Sequence, residues 1–403
     1  MVTPATSQPL TNPYRTSFCR CVDATATYLL SQVRQRAFTL TEELRGQTTH
    51  TLDYALELPD LWPTTRDLVL QLSPLMEQVG ERHNWIAYLQ QTLHTAQSRA
   101  EWQTCAAIRF QIGLLHRLLS DYAAAETWLG LGLEDATRSN DRHSAAQIHN
   151  ELAWLAQLQG QVAPATTHVE NALDLLAPDD PERGMSYRVL GMLAIQQKAW
   201  QRAETLHQQA LGYFQQQQDP RRVAWGIQNL AYAYQGQGRY EEATALYQQA
   251  LQQLEALGDR YHSTIVRVNL GMAVQATGAA ESAIAHYRAA EQAAHTLFDH
   301  LLLARIYVNC GLALLQSQRA VEAQESFTAA IHHYQLCGNT EWQINAMDGL
   351  AMAYLAVQQY TEACTVIDEA VMLLPTVVDA PNYAYLVESL ANHRAEAQRG
   401  LGG

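Results

Sequence analysis

The chain is almost without lysine. Lys198 is the only one in 403 residues, and 26 cationic side chains face 40 carboxylates, for a net charge of −14. Binding nucleic acid regardless of sequence needs a basic face. No basic run is present, so a nucleic-acid partner is not expected. Long apolar runs are missing as well. No stretch of eighteen apolar residues occurs, and no segment is expected to span a membrane. Met1 to Pro13 lack a basic start followed by an apolar stretch, which argues against a secretory signal. The cysteines Cys19, Cys21, Cys105, Cys310, Cys337 and Cys364 match no disulfide framework. Reduced thiols and a cytoplasmic location are the expectation. Cys19-x-Cys21 has no second pair or neighbouring histidine, so no metal is expected. His83 and His332-His333 are isolated and read as surface or packed histidines. The motifs G-x-x-x-x-G-K-[ST], H-E-x-x-H, G-x-S-x-G and G-x-G-x-x-G are absent. No catalytic residue and no cofactor is expected, and the chain does not read as an enzyme.

What the chain does have is a period. Gly113, Ala153, Gly191, Ala231, Gly271, Gly311 and Ala351 are 40, 38, 40, 40, 40 and 40 residues apart. Twelve residues after each stands an alanine: Ala125, Ala165, Ala203, Ala243, Ala283, Ala323 and Ala363. Twelve before all but the first stands Asp141, Asp179, Asp219, Asp259, Asp299 or Asn339. Three series in one phase define a repeat array. Within a unit the spacing is helical. Asp219-Pro220 supplies an N-cap and a first-turn proline. Trp225, Leu230, Ala231 and Tyr234 follow at helical intervals, and Gly236-Gln237-Gly238 ends the helix. Tyr240 and Glu241-Glu242 open a second helix, where carboxylates favour the positive end of the dipole. Ala243, Leu246, Tyr247, Ala250 and Leu251 share one stripe of it. Two such helices approach closely only where one surface is Gly or Ala. Tyr247, Tyr287 and Phe327 are expected to fill the next layer.

The segments follow from these signals. Residues 1–14 carry Pro4, Pro9 and Pro13 and are expected to be a disordered lead. Residues 15–100 are expected to form N-terminal helices with an eroded repeat, in which Ser73 stands one period before Gly113 and Trp85 replaces the alanine. About seven regular units occupy 101–380. Residues 381–403 are expected to form a capping helix and a flexible tail from Arg399.

The unit Asn229-Leu230-Ala231-x-x-Tyr234-x-x-x-Gly238-x-Tyr240-x-x-Ala243-x-x-x-Tyr247-x-x-Ala250-Leu251 resembles the tetratricopeptide repeat. Asn269-Leu270-Gly271 and Asn309-Cys310-Gly311 open the next two copies. Pro375 stands where such units often close. The 40-residue period is similar to the long-repeat branch of kinesin light chains, bacterial peptide-sensing regulators and the sensor arms of signalling ATPases. Residues 41–95 bear a weaker similarity to the entry segment of those arms. The resemblance implies an all-α fold, a right-handed superhelical solenoid of antiparallel helix pairs, whose first helices line a concave groove.

The resemblance also implies where a partner would sit. In the family, an asparagine two residues before the small residue often holds the backbone of an extended peptide. Asn229, Asn269 and Asn309 stand there. A side-chain amide offers donor and acceptor together, so such a ladder holds peptide groups without selecting side chains. The alternative is that these amides are consensus residues satisfied by neighbouring helices. Trp154, Met192, Tyr232 and Met272 follow the small residue and, with Gln228 and Trp225, would give an apolar lining. That lining is equally accounted for as interhelical core. Arg188 and Arg305 could meet a carboxylate, though two arginines do not make a clamp. The expectation is a non-catalytic protein–protein interaction scaffold or adaptor, binding a protein or peptide partner and regulating an effector in bacterial signalling or defence. The alternatives are a peptide-sensing regulatory receptor and, more remotely, a hydrolase or nucleic-acid binder. Sequence does not fix the oligomeric state.

Overall fold

The computed structural model describes residues 13–35, 40–297, 299–378 and 380–402, the side chains of residues 13 and 14 apart. Nineteen α-helices and no strand occur among them. The chain divides into two compact units, residues 1–177 and 178–403. The boundary falls within the one 38-residue step of the period. The first unit holds α1 (Pro13–Val33), α2 (Glu42–Ala55), α3 (Trp62–Val79), α4 (Arg82–Ser98), α5 (Trp102–Leu118), α6 (Tyr122–Arg138), α7 (Arg142–Leu158) and α8 (Val162–Leu175). The second holds α9 (Arg183–Gln196), α10 (Trp200–Gln216), α11 (Pro220–Gly236), α12 (Tyr240–Ala256), α13 (Arg260–Ala276), α14 (Ala280–Leu297), α15 (His300–Gln316), α16 (Ala320–Leu336), α17 (Thr340–Ala356), α18 (Tyr360–Leu373) and α19 (Tyr383–Leu401). Most repeat helices have 17 residues, about 25 Å at the α-helical rise.

The three periodic series have distinct jobs. The Asp/Asn series caps first helices: Asp141, Asp219, Asp259, Asp299 and Asn339 each accept a backbone N–H of the following turn. Asp179 does not. Helix α9 begins only at Arg183, and Asp180 accepts the Glu182 amide instead. Pro178 and Pro181 lie within that shortened step. The alanine series lies on second helices, and all seven members have 0% exposure. The small-residue series makes room for a side chain sixteen residues on. A Cβ on Gly113 would meet Leu129 at 2.6 Å, one on Gly271 the Tyr287 ring at 2.6 Å, and one on Gly311 the Phe327 ring at 2.8 Å.

The polar end of each ring has its own partner. Tyr247 Oη donates to Gln235 Oε1 at 3.1 Å, and Tyr287 Oη to Gln275 Oε1 at 3.0 Å. Where the ring is Phe327, the residue at the glutamine phase is Leu315. The eroded repeat uses another solution. Trp85 is buried and donates its indole N–H to Ser73 Oγ at 3.0 Å, so serine and tryptophan replace the small residue and the alanine.

Left-handed residues end helices at twenty-residue steps. They run from Gly80 through Ala100, Ser120 and Asn140 to Gly160, and from Lys198 through Gln218, Gly238 and Gly258 to Gly278. Such a residue closes the last turn by a Schellman-type bond. The lead expected over 1–14 lies outside the described residues up to Thr11-Asn12, and Pro13 already opens α1. The flexible tail expected from Arg399 is corrected. Helix α19 continues to Leu401, because Gly400 lets it close on Tyr360, whose ring a Cβ there would meet at 2.4 Å.

Candidate binding face

In the second unit each first helix touches the first helix of the next pair: α9 on α11, α11 on α13, α13 on α15 and α15 on α17. Second helices make no comparable contact with one another among the described residues. Crowding on one side curves this unit, with the first-helix layer inside. Ten of the eleven residues singled out from sequence belong to this layer. Trp154 does not join them, being half-buried on α7 of the first unit.

The asparagines are unlike one another. Asn229 is only 5% exposed, and its Nδ2 has no hydrogen-bond partner among the described residues. Asn269 and Asn309 are half-exposed. The same phase holds Gly349 on α17, where a Cβ would meet the Phe327 ring at 2.4 Å. This phase therefore lies at the seam between a first helix and the preceding second helix. The ladder stops at α17, where Gly349 packs directly on the Phe327 ring.

A cation–aromatic cluster joins α9, α11 and α13. The Arg188 and Arg221 guanidinium carbons lie 5.2 and 4.6 Å from the centre of the Trp225 ring, and the His262 ring lies 4.7 Å from it. Such contacts contribute about 0.5–2 kcal/mol each, more when desolvated. Arg221 Nε donates to Asp259 Oδ2 at 2.6 Å, and Asp259, 0% exposed, also caps α13. Burial alone would raise the Asp259 carboxyl. The charges and hydrogen bonds of His262 and Arg221 outweigh it and hold the group well below the usual carboxylate range. Arg188 and Trp225 are thus tied into packing. Sequence gave only the cap role of Asp259; its partners lie 38 residues back and three residues on, too far apart to signal themselves.

The apolar lining grades from core to surface. Met192 and Tyr232 pack with Ala194, Ile195, Ala203 and Ala233, and Met272 packs with Tyr287 and its neighbours. At the same phase Leu312 and Met352 are 39% and 37% exposed. Gln228 is half-exposed. Arg305 is exposed and makes no ion pair among the described residues. A contiguous accessible stretch therefore runs over α13, α15 and α17: Asn269, Arg305, Asn309, Leu312 and Met352.

No group of three metal-ligating side chains occurs among the described residues. The six cysteines are free; burial pushes the Cys105 thiol up to about 11 and raises Cys310, which disfavours the nucleophilic thiolate in both. One cleft of about 730 Å³ lies in the first unit, lined by Arg45, Asp53, Glu81, Trp85 and Tyr88 among others. Its charges are mutually engaged: Arg45 pairs with Glu81 at 2.8 Å and Tyr88 donates to Asp53 at 2.7 Å. No described helix is long and apolar enough to cross a membrane.

Known proteins share the helical-repeat fold. The tetratricopeptide repeat model matches residues 222–296, which span α11 to α14. Over that stretch the chain is similar to tetratricopeptide repeats. No curated protein matches the chain. Among solved structures, a Rap protein complexed with Competence and Sporulation Factor is similar over 94% of this chain and 99% of its own, with 14% identity and a TM-score of 0.55. A signal transduction ATPase with a tetratricopeptide repeat sensor, from Pyrococcus horikoshii, is similar over 88% of this chain at 14% identity and a TM-score of 0.55. The similarity spans 55% of that ATPase. Aspartyl phosphate phosphatase F from Bacillus subtilis is similar over 92% of this chain and 96% of its own, with 10% identity and a TM-score of 0.51. At these identities the likeness is one of fold: an all-α helical-repeat solenoid.

Proposed function

We propose that the first-helix face of residues 178–403 binds a segment of a partner protein, without catalysis. The observation that supports it is the accessible stretch Asn269, Arg305, Asn309, Leu312 and Met352 on three successive first helices. Half-exposed amides hold backbone, apolar side chains select residues, and Arg305 favours a carboxylate nearby. Asn229, Trp225 and Arg188 hold the neighbouring helices in register and support the face from below. The partner, captured from the native host, is then titrated calorimetrically. Asn269→Ala is expected to weaken binding about tenfold, the loss of a hydrogen-bonding amide. Melting of the free protein is expected to change little. Equal affinity for Asn269→Ala and Leu312→Ala as for the parent chain excludes this face.

A second reading is a regulatory receptor for a short peptide. The Rap protein that supports it matches along nearly its whole length and was solved with a bound factor. One tight site for a short ligand, with a change in small-angle scattering on binding, favours the receptor over the scaffold.

A further inference from the structure

Helix α19 takes the place of a first helix in the repeat pattern. It packs on α17 and α18 as each earlier first helix packs on the preceding pair. The period runs into it, with Leu350 and Ala351 answered by Leu390 and Ala391. In the preceding first helices, the face that receives their own second helix is closed: Ala304, Ile344 and Ala351 have 0% exposure and Gly311 is buried. On α19 the corresponding face is open. Ala384, Val387, Glu388, Ala391 and Ala395 are all exposed, and no described helix lies over them. Tyr385 and Leu401 flank it, 60% and 55% exposed.

We infer that this face is covered by α19 of a second copy, in an antiparallel pair that makes the protein a homodimer. Charge selects this occupant. The chain is strongly acidic, yet α19 is balanced, with Glu388 and Glu396 against Arg394 and Arg399. Arg394 is taken by Asp368 at 2.7 Å. Glu388 and Arg399 form no ion pair among the described residues. A two-fold axis beside Ala391 and Ala395 sets small residues against small residues, so the backbones approach closely. The same axis brings Glu388 of each copy to Arg399 of the other, twice over. A self-complementary patch is what a two-fold interface requires. A single helix pair is at the small end of interfaces, so the dissociation constant is expected on the order of 10 µM. This pairing is independent of the partner-binding face.

The test is sedimentation velocity on the full chain up to about 100 µM, ten times that constant. A monomer–dimer equilibrium is expected. Ala391→Glu should give a monomer with unchanged helicity and melting, since Ala391 is exposed. Glu388→Arg and Arg399→Glu should each weaken the dimer, and the double variant should restore it. A monomer throughout overturns the inference and leaves the face to a foreign helix. A dimer indifferent to Ala391→Glu, or a double variant no better than either single one, overturns it as well.

Discussion

His207 is the residue whose replacement tests the packing logic most directly. It stands where Tyr287 and Phe327 stand in later repeats, 0% exposed, and neither ring nitrogen has a partner. A Cβ on Gly191 would meet its ring at 2.3 Å, as one on Gly311 would meet Phe327. The residue at the glutamine phase is Ile195, matching Leu315 rather than Gln275. The site is therefore built for a ring without a polar edge. Burial, helped by the charge of Arg188, pushes the His207 pKa down to about 3. The unfolded chain protonates this imidazole near pH 6.5, so below that pH it binds more protons than the folded one. The folded state is thus fully favoured above pH 6.5 and loses ground as pH falls toward 3. At pH 5 the loss is about 2 kcal/mol, from 1.5 pH units at about 1.4 kcal/mol each. His207→Phe removes that term and the two unmet nitrogens, whose burial costs about 1–3 kcal/mol. Thermal unfolding followed by circular dichroism should show a higher Tm for the variant at pH 7. The gap should widen at pH 5 by several degrees, at about 2–4 °C per kcal/mol. A gap that stays constant or narrows on acidification would refute the reasoning.

Three further outcomes follow from the same packing. Gly349→Ala should destabilise by about 1–2 kcal/mol, because overpacking against a pinned Phe327 ring (about 1–3) exceeds the helix-propensity gain of up to about 1; chemical denaturation measures it, and a stabilised variant would show that the seam yields. Ala243→Leu should cost about 1–3 kcal/mol at a site with no free space, and an unchanged denaturation midpoint would disprove the close approach there. Asp259→Ala should cost about 3–5 kcal/mol, since it leaves Arg221 without its partner and α13 without its cap. Because the Asp259 carboxyl titrates below its ordinary value, its contribution is present at neutral pH and fades as pH falls below about 4. The deficit of Asp259→Ala should therefore shrink in acid, and an equal deficit at pH 3 and pH 7 would contradict this.

Much of the fold is legible in the residues. The period, the alanine stripe and five of the six Asp/Asn caps are local, set by helical spacing and by a side chain reaching its own next turn. The helix ends at Ala100, Ser120, Lys198 and Gln318 were less legible, since no glycine marks their left-handed turns. The candidate face was legible only as a phase. Asn229, Asn269 and Asn309 look identical in the sequence, yet one is covered and two are open. The difference comes from the side chains packed around each one.

The sequence by itself determined that this protein is a stack of helical hairpins, because capping, helical periodicity and the small-residue contact each act within one repeat. Only the tertiary structure decided which lining residues are core and which are reachable. It alone set Trp154 in a unit apart from the other candidates, left His207 without a partner and left α19 with an open side. Burial belongs to a side chain's neighbours in space, and those are chosen by how successive hairpins lean on one another.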